Sequence, residues 1–237
     1  MAEADNEDRF CVCMTPDDLP EADLNALKLQ KAALLKAARW DNGANITVRF
    51  LGGTPVLQKR VRDTALEWTK IANLNFDSRS TGPTNIRIAF MPGKGSWSYL
   101  GTMCRRIAEP EPTMNYGWLT DTSPEDEVRR VVLHEFGHAV GLIHEHQNPK
   151  GGIKWNRDAV TRDLSGPPNR WNAQQIENNM FRYYPERDVY ATKVDPLSIM
   201  MYPIPKSWTL DGTSAGLNST FSADDKLLAR NAYPGRL

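Results

Sequence analysis

The sequence predicts an α+β protein of two lobes, and three observations lead to this fold class. Residues 45–118 contain short segments with the alternation typical of strands, interrupted by one longer segment with helical periodicity. A second long helical segment follows Ser123. After Pro149 the chain becomes rich in glycine, proline and tryptophan, as loops are, and it ends in a single helix. With 237 residues, 40% of them hydrophobic, the chain can bury a substantial core.

The elements of the first lobe follow from their periodicity. Residues 1–19 are irregular and acidic, whereas residues 20–40 are rich in Ala, Leu, Lys and Gln and predict an amphipathic helix. Residues 45–51 alternate with β-branched side chains and predict a strand. Residues 55–73 carry apolar side chains on one face and begin with Pro55, which predicts a long helix. We expect further strands over residues 76–79, 85–90 and 96–100, and an edge strand near the cleft over residues 113–118.

The second long helix is expected to run to about Leu142. Ser123 suits its N-cap and Pro124 its first position, with acidic residues in the first turn. Further on, residues 171–184 predict a short helix and a loop. A last helix is expected to begin at residues 222–225 and to end near residues 233–234.

All four histidines of the chain lie between positions 134 and 146, a clustering that scattered structural histidines would not produce. His134 and His138 are four residues apart, so a helix places them on one face, one turn above the other. Gly141 can adopt a left-handed conformation that ends the helix, and the returning chain brings His144 to the same ion. Three protein ligands and an open fourth position are typical of a catalytic zinc site, not of a structural one.

Glu135 follows the first of these histidines and lies about 100° further round the helix. It can therefore reach a water on the metal without becoming a ligand. Zinc lowers the pKa of such a water to about 7, and Glu135 is predicted to act as general base and then to pass the proton to the leaving amine. The predicted reaction is hydrolysis of a peptide bond without a covalent intermediate. The alternative, a buried helix with hydrogen-bonded histidines, leaves Glu135 and Gly141 unexplained.

The extended pattern His-Glu-x-x-His-x-x-Gly-x-x-His is the metzincin motif, and the chain resembles the astacin family of metzincin zinc metalloendopeptidases. The residue after the third histidine differs between metzincin subfamilies, and glutamate at this position, here Glu145, is typical of the astacin family. Residues 198–202, Ser-Ile-Met-Met-Tyr, are similar to the family's Met-turn with Met201 in place of its usual histidine, and residues 98–101 are similar to its Ser-Tyr-Val-Gly. The resemblance implies a metzincin-like fold. In it a mixed twisted sheet with two long helices forms an upper lobe (about residues 36–143). A loop-rich lower lobe with a C-terminal helix (about 144–237) lies across the active-site cleft.

The resemblance also implies roles for residues outside the zinc motif. Tyr202 would be an extra zinc ligand that hydrogen-bonds the oxyanion once substrate binds, and Met200 would form a hydrophobic floor under the histidines. Glu145 has two interpretations, a partner of the processed N-terminus or a hydrogen-bonded structural residue. His146 is expected to lie behind the ligands or at the surface and not to bind the metal.

By the same resemblance, residues 1–35 form a prosegment-like extension and residues 36–237 the catalytic domain. The family's usual prosegment aspartate motif is absent, and Phe10-Cys11-Val12-Cys13 is the candidate in its place. A thiolate from Cys11 or Cys13 could occupy the open zinc position and keep the enzyme latent, because sulfur binds zinc well. A disulfide from one of them to Cys104, or free thiols, are the alternatives.

The composition indicates which classes of partner to expect. The net charge is zero, which gives no sign of a nucleic-acid partner, and no apolar run approaches the ~20 residues that span a membrane. We expect one zinc ion, a protein or peptide substrate and a monomer. The resemblance favours secretion, whereas the acidic start without a signal peptide and the small number of cysteines leave the location open. A catalytically silent zinc-bearing peptide-binding module is the alternative function, and a zinc hydrolase of another amide is a third.

Overall fold

The computed structural model describes residues 11–14, 38–167, 169–184 and 193–236. These residues form a six-stranded sheet of β1 (Cys11–Met14), β2 (Asn45–Phe50), β3 (Asn75–Ser78), β4 (Ile86–Ala89), β5 (Ser96–Tyr99) and β6 (Met114–Asn115). The strand order is β1-β5-β6-β4-β2-β3. Strands β5 and β6 are antiparallel, and all other neighbours in the sheet are parallel. The predicted α+β class with a mixed sheet is confirmed.

Two long helices, α1 (Pro55–Ala65) and α2 (Glu125–Ala139), pack on the sheet and bury the main core with it. Three shorter helices follow: α3 (Arg157–Ser165), α4 (Ala173–Ile176), which continues as a π-helix over Glu177–Phe181, and α5 (Ala223–Ala232). Short 3-10 helices cover Trp68–Lys70, Gly101–Arg106, Glu145–Gln147 and Lys206–Trp208. The helix predicted over residues 20–40 falls almost wholly outside the described residues, as does most of the predicted prosegment.

The first long helix is shorter than predicted. Helix α1 ends at Ala65, not near residue 73, and a 3-10 turn follows it. The chain turns inward there to bury Trp68 completely, and its Nε1 donates to the Leu133 carbonyl at 3.0 Å. Periodicity alone could not show this break, because Trp68 continues the apolar face of the helix.

The segment over residues 113–118 does not form a sheet edge, so that prediction is wrong. Only Met114–Asn115 is a strand, and it lies between β4 and β5. Thr113 accepts a hydrogen bond from the Tyr99 amide at 3.1 Å and donates its own amide to the Arg87 carbonyl at 2.9 Å, so both sides of the segment are paired. The outer neighbour of β5 is instead β1, at Cys11–Met14.

The N-cap residues were predicted for two helices, and the prediction is correct for one of them. Helix α5 begins after Ser222, whose hydroxyl accepts from the Asp225 amide in a capping box, as predicted. Helix α2 begins one residue later than predicted, with Pro124 at the N-cap. The Ser123 hydroxyl accepts from the Thr120 amide at 2.9 Å in the preceding turn and is therefore not available to cap the helix.

The apolar interior is divided between two main clusters. The larger lies under the sheet and includes Trp68, Phe136 and Met200. The second lies among α3, α4 and the segment after residue 200, and it includes Tyr202 and Trp208. Helix α2 contributes Leu133 and Phe136 to the larger cluster, and Tyr202 of the second cluster lies beside His144. Among the described residues, no helix is long and apolar enough to cross a membrane.

Candidate metal centre

Three histidines converge at the C-terminal end of α2. His134 and His138 lie one turn apart on the helix, and Gly141, with φ of 98°, turns the chain so that His144 returns toward them. One potential ligand atom from each histidine lies within 4.8 Å of the others. The Nε2 atoms of His138 and His144 are 3.1 Å apart. The three predicted ligands are therefore brought together.

Each of these rings is fixed from behind by an oxygen acceptor. The Nδ1 of His134 donates to the Ile199 carbonyl at 2.8 Å, and the Nδ1 of His138 donates to the Leu142 carbonyl at 2.8 Å. The Nδ1 of His144 lies 3.3 Å from Oε1 of Gln147. Because a carbonyl oxygen can only accept, Nδ1 carries the proton and Nε2 keeps its lone pair. Such outer partners set the tautomer that a metal needs.

Burial keeps the three imidazoles neutral. It lowers the pKa of His134 and of His144 well below 6.5, and that of His138 to about 4. The Nε2 of His134 is buried and has no hydrogen-bond partner. A buried lone pair without a donor is costly, and a divalent cation would satisfy it. The donor set of three neutral imidazoles therefore fits zinc.

Glu135 lies beside this cluster and is completely buried. Neither of its carboxylate oxygens has a hydrogen-bond partner of normal geometry, although the Cys11 thiol and the Arg130 guanidinium are close enough to act on its charge. Burial raises the pKa of Glu135 well above 4.5. An unpaired, buried carboxyl with a raised pKa is the kind of group that transfers protons.

Met200 lies against helix α2, in contact with the backbone at Gly137. A Cβ atom on Gly137 would lie 2.2 Å from the Met200 Sδ, so only glycine permits this approach. Asp225 of α5 fixes the turn from behind, because it accepts from the Ser198 hydroxyl at 2.7 Å and from the Ile199 amide at 2.8 Å. The sequence singled out Met200 but not Gly137 or Asp225 in these roles.

Tyr202 is buried among the histidine rings, with its ring centroid 4.2 Å from that of His144 and 4.6 Å from that of His146. Its hydroxyl donates to the backbone carbonyl of Cys11. The tyrosine therefore joins the metal centre to the N-terminal strand. Its predicted roles toward metal and oxyanion stay predictions.

The two residues after His144 are both held inside the protein. His146 is completely buried, and its Nε2 lies 2.7 Å from the Asn179 carbonyl, so it is neither a surface residue nor part of the ligand group. The Oε1 of Glu145 accepts from the Asn148 side chain at 3.1 Å and from the Asp195 amide at 3.2 Å. Burial raises the pKa of Glu145 to about 7. In this form of the chain Glu145 makes the contacts of a hydrogen-bonded structural residue.

Strand β1 lies in the cleft beside the histidines. It pairs in parallel with β5, with Cys11 opposite Ser96 and Cys13 opposite Ser98. Cys11 and His134 line the same small space of about 10 Å³, which is roughly the room for one water. Cys13 packs in a separate cluster with Leu100 and other apolar side chains. All three cysteines fall within the described residues and none forms a disulfide, so the predicted alternative of a disulfide to Cys104 is wrong.

A buried ion pair that the sequence analysis missed lies one turn before His134. Arg130 donates from Nε and Nη2 to the Glu127 carboxylate at 2.8 and 2.7 Å, and the Trp118 indole donates to the same carboxylate at 2.7 Å. Arg130 lines the space beside Cys11 and His134. The only available signal was two opposite charges three residues apart on a helix with an otherwise apolar face.

Residues 33–206 match the family model described as Astacin, a peptidase family. A zinc metalloproteinase dpy-31 of Brugia malayi is 30% identical over 133 residues, which cover 54% of this chain and 20% of the relative. An interstitial collagenase of Bos taurus is 29% identical over 121 residues, 44% of this chain and 26% of the relative. The chain thus spans about a fifth to a quarter of the length of these curated relatives.

Solved structures resemble most of the chain. A structure of myroilysin superposes with a TM-score of 0.83 at 41% identity, and covers 86% of this chain and 98% of that one. The hatching enzyme zinc-protease HCE-1 of Oryzias latipes superposes with a TM-score of 0.53 at 13% identity, over 82% of this chain and 94% of that one. The second likeness, at so low an identity, concerns the fold alone.

Proposed function

Because the chain belongs to the astacin family of zinc metalloendopeptidases, we propose that it hydrolyses peptide bonds in proteins or peptides, and that its N-terminal segment holds it latent. The observation that carries the proposal is the convergence of three neutral imidazoles beside an unpaired, buried glutamate. His134, His138 and His144 would hold one zinc ion. When bound, zinc supplies Lewis acidity to a scissile carbonyl and lowers the pKa of water to about 7.

Glu135 would act as the proton carrier. It would take a proton from the attacking water and deliver it to the amine that leaves when the peptide bond breaks. Burial favours this role, because a carboxyl with a raised pKa is a stronger base than an ordinary glutamate. The nearby positive charge of Arg130 opposes the rise and helps to keep Glu135 ionised before the reaction.

Tyr202 would donate a hydrogen bond to the oxyanion that forms on the attacked carbonyl. The phenol is a suitable donor for a developing negative charge. Its hydroxyl now donates to the carbonyl of Cys11, which is itself a peptide carbonyl held in the cleft. Departure of β1 would free this donor for the substrate.

A substrate would take the place of β1 along β5. Strand β5 is the last strand of the sheet once β1 is set aside, and it offers unpaired backbone groups to an extended peptide. This replaces the predicted site beside residues 113–118, which lie inside the sheet. Because β1 occupies the cleft and leaves room for about one water near His134, substrate and β1 would exclude each other.

Latency would rest on Cys11 and not on Cys13. Cys11 lies beside Glu135 and His134, whereas Cys13 lies two residues further along the strand, in another cluster. The Cys11 thiol is not yet within the group of ligand atoms formed by the histidines, so it would turn toward the zinc from its position beside Glu135. Burial raises the pKa of the Cys11 thiol, and coordination to zinc would hold it deprotonated.

The activity is tested with denatured casein as substrate. We expect the chain without residues 1–35 to cleave casein, a chelator to stop the cleavage, and added zinc to restore it. Cleavage that continues after the metal is removed contradicts the proposal. Casein peptides that bind in a zinc-dependent way without being cleaved would favour the alternative, a silent peptide-binding module.

Latency is tested in the full chain with two matched variants. Cys11→Ala is expected to raise casein cleavage above that of the unmodified full chain, and Cys13→Ala is expected to leave it unchanged. If removal of residues 1–35 raises activity while neither variant does, the strand alone blocks the cleft and the role of the thiol is wrong.

A further inference from the structure

Another cavity lies between α1, α2 and the sheet, on the side of α2 away from the histidines. Its volume is about 220 Å³. Val48 and Phe50, two residues apart on β2, face it together with Phe76 of β3. Phe136, the residue after Glu135 on α2, closes its inner end. Most of the wall is therefore apolar and aromatic, as in pockets for small molecules.

One positive charge faces this cavity without a counter-ion. Arg62 of α1 lies over the Phe50 ring, with its Cζ 5.6 Å from the ring centroid. The Nε of Arg62 is buried and has no hydrogen-bond partner. Within the described part of the chain, the Arg62 guanidinium forms no ion pair. A buried donor of this kind calls for an acceptor.

The acidic residue at the cavity does not provide that acceptor. Asp77 borders the cavity, but its carboxylate pairs with Arg79 at 2.7 Å. Phe76 and Asp77 are neighbours on a strand, so their side chains leave opposite faces of the sheet. The charge that the cavity presents to a ligand is therefore the positive charge of Arg62.

We propose that this cavity binds a small amphipathic monocarboxylate, whose apolar body lies among the phenylalanine rings and whose carboxylate accepts hydrogen bonds from Arg62. An apolar cavity of about 150 Å³ is large enough for benzene, so 220 Å³ suits one aromatic ring with a short acidic chain. The site is separate from the metal centre and does not depend on the peptidase activity.

The test is calorimetric titration of the full chain with 3-phenylpropionate and, separately, with the neutral amide of the same acid. We expect the acid to bind and the amide to bind at least about tenfold more weakly, because a hydrogen bond to a charged partner contributes about 1.5–3 kcal/mol. Equal binding of the two compounds, or no binding of the acid at millimolar concentration, would overturn the proposal.

Two variants locate the site, and one serves as control. Arg62→Gln removes the charge and is expected to weaken acid binding by about tenfold or more. Ala65→Leu, at a buried wall position, fills the cavity and is expected to abolish it. Lys59→Gln makes the same charge change on the exposed side of α1 and is expected to have no effect.

Carboxylates also bind catalytic zinc, so the position of the bound acid must be shown. Binding that persists in both Arg62→Gln and Ala65→Leu lies at another site, such as the metal centre, and would refute the proposed cavity site. Both variants are expected to keep the metal stoichiometry of the unmodified chain, which shows that they fold. If Ala65→Leu fails this check, Arg62→Gln and the acid–amide pair still decide the question.

Discussion

The metal centre and the strand that covers it are held in place in different ways. Each of the three imidazoles has its own hydrogen-bond acceptor, and all three acceptors come after residue 134 in the chain. Asp225 in turn accepts from the Ile199 amide and holds the turn that carries one of these acceptors. Strand β1 is held by backbone pairing with one neighbour, by the bond from Tyr202 and by burial. From this contrast we propose that the strand can leave while the metal centre stays assembled.

The largest expected effect concerns the chemistry and leaves the metal centre assembled. In the chain without residues 1–35, Glu135→Gln should lower kcat/KM for casein peptides by about 10²–10⁴-fold, the usual contribution of general acid–base catalysis. The zinc content should not change, because Glu135 is not expected to be a ligand. Glu125→Gln, at the exposed start of the same helix, is the matched control and should keep its activity.

Removal of the metal should expose the cost of burying the histidines. The pKa of His138 in the folded chain is about 4, below its ordinary value of 6.5. Below pH 6.5 His138 therefore takes up a proton in the unfolded chain but not in the folded chain. Its contribution to stability is lost as pH falls toward 4. For His138 alone the free energy of unfolding of the metal-free chain should fall by about 3 kcal/mol.

This acid sensitivity is measured by denaturant unfolding of the chelated full chain and of its His138→Gln variant at several pH values. The comparison with the variant isolates His138, because the raised pKa values of Glu135 and Glu145 change stability in the opposite direction over the same range. Well above pH 6.5 the three imidazoles are neutral in both the folded and the unfolded chain, so no stability has yet been lost to their protonation there. If the difference in stability between the chain and this variant is the same at pH 6.5 and pH 4, the burial of a neutral His138 at this centre is contradicted.

Tyr202 belongs to both regions, so its removal should affect both. In the trimmed chain, Tyr202→Phe should lower kcat by about 10²-fold, as the loss of one oxyanion donor does, with a smaller change in KM. In the full chain the same variant loses the bond to the Cys11 carbonyl and should expose β1 to proteolysis more often. A normal kcat in the trimmed variant would leave Tyr202 as a packing residue only.

The smallest effect tests the support under the metal centre. Gly137→Ala places a Cβ 2.2 Å from the Met200 Sδ, and overpacking of this kind costs about 1–3 kcal/mol. The free energy of unfolding should fall by that amount. Gly166→Ala is the control, because a Cβ there meets its neighbours no closer than 3.6 Å. Equal stability of the two variants would mean that Met200 and its turn move away from Gly137 without a loss of stability.

The sequence predicted the convergence of the three histidines better than it predicted their surroundings. The spacing of His134, His138 and His144 depends on local helix geometry and on the turn at Gly141, which sequence can express. The outer partners are of two kinds. Leu142 and Gln147 are only three or four residues from the histidines that they hold. Ile199, and Asp225 behind it, approach only through the tertiary fold, so no local pattern could identify them.

The misplaced cleft edge has the same origin. Residues 113–118 look like an edge strand because short, polar-flanked strands often are. The order of strands in a sheet is a long-range property, and here β1 and β5 are placed outside β6 by contacts across the chain. The choice between Cys11 and Cys13 could not be made either, because residues two apart on a strand share a face and differ only in their position along the cleft.

The most direct test of this account is X-ray absorption spectroscopy at the zinc edge, on the full chain and on the chain without residues 1–35. The full chain should show three nitrogen neighbours at about 2.0–2.1 Å and one sulfur at about 2.3 Å. In the trimmed chain the sulfur should be lost while the three nitrogens remain. A spectrum without imidazole neighbours would contradict the three-histidine zinc site. A sulfur signal that trimming leaves unchanged would contradict the proposed binding of Cys11 to the zinc.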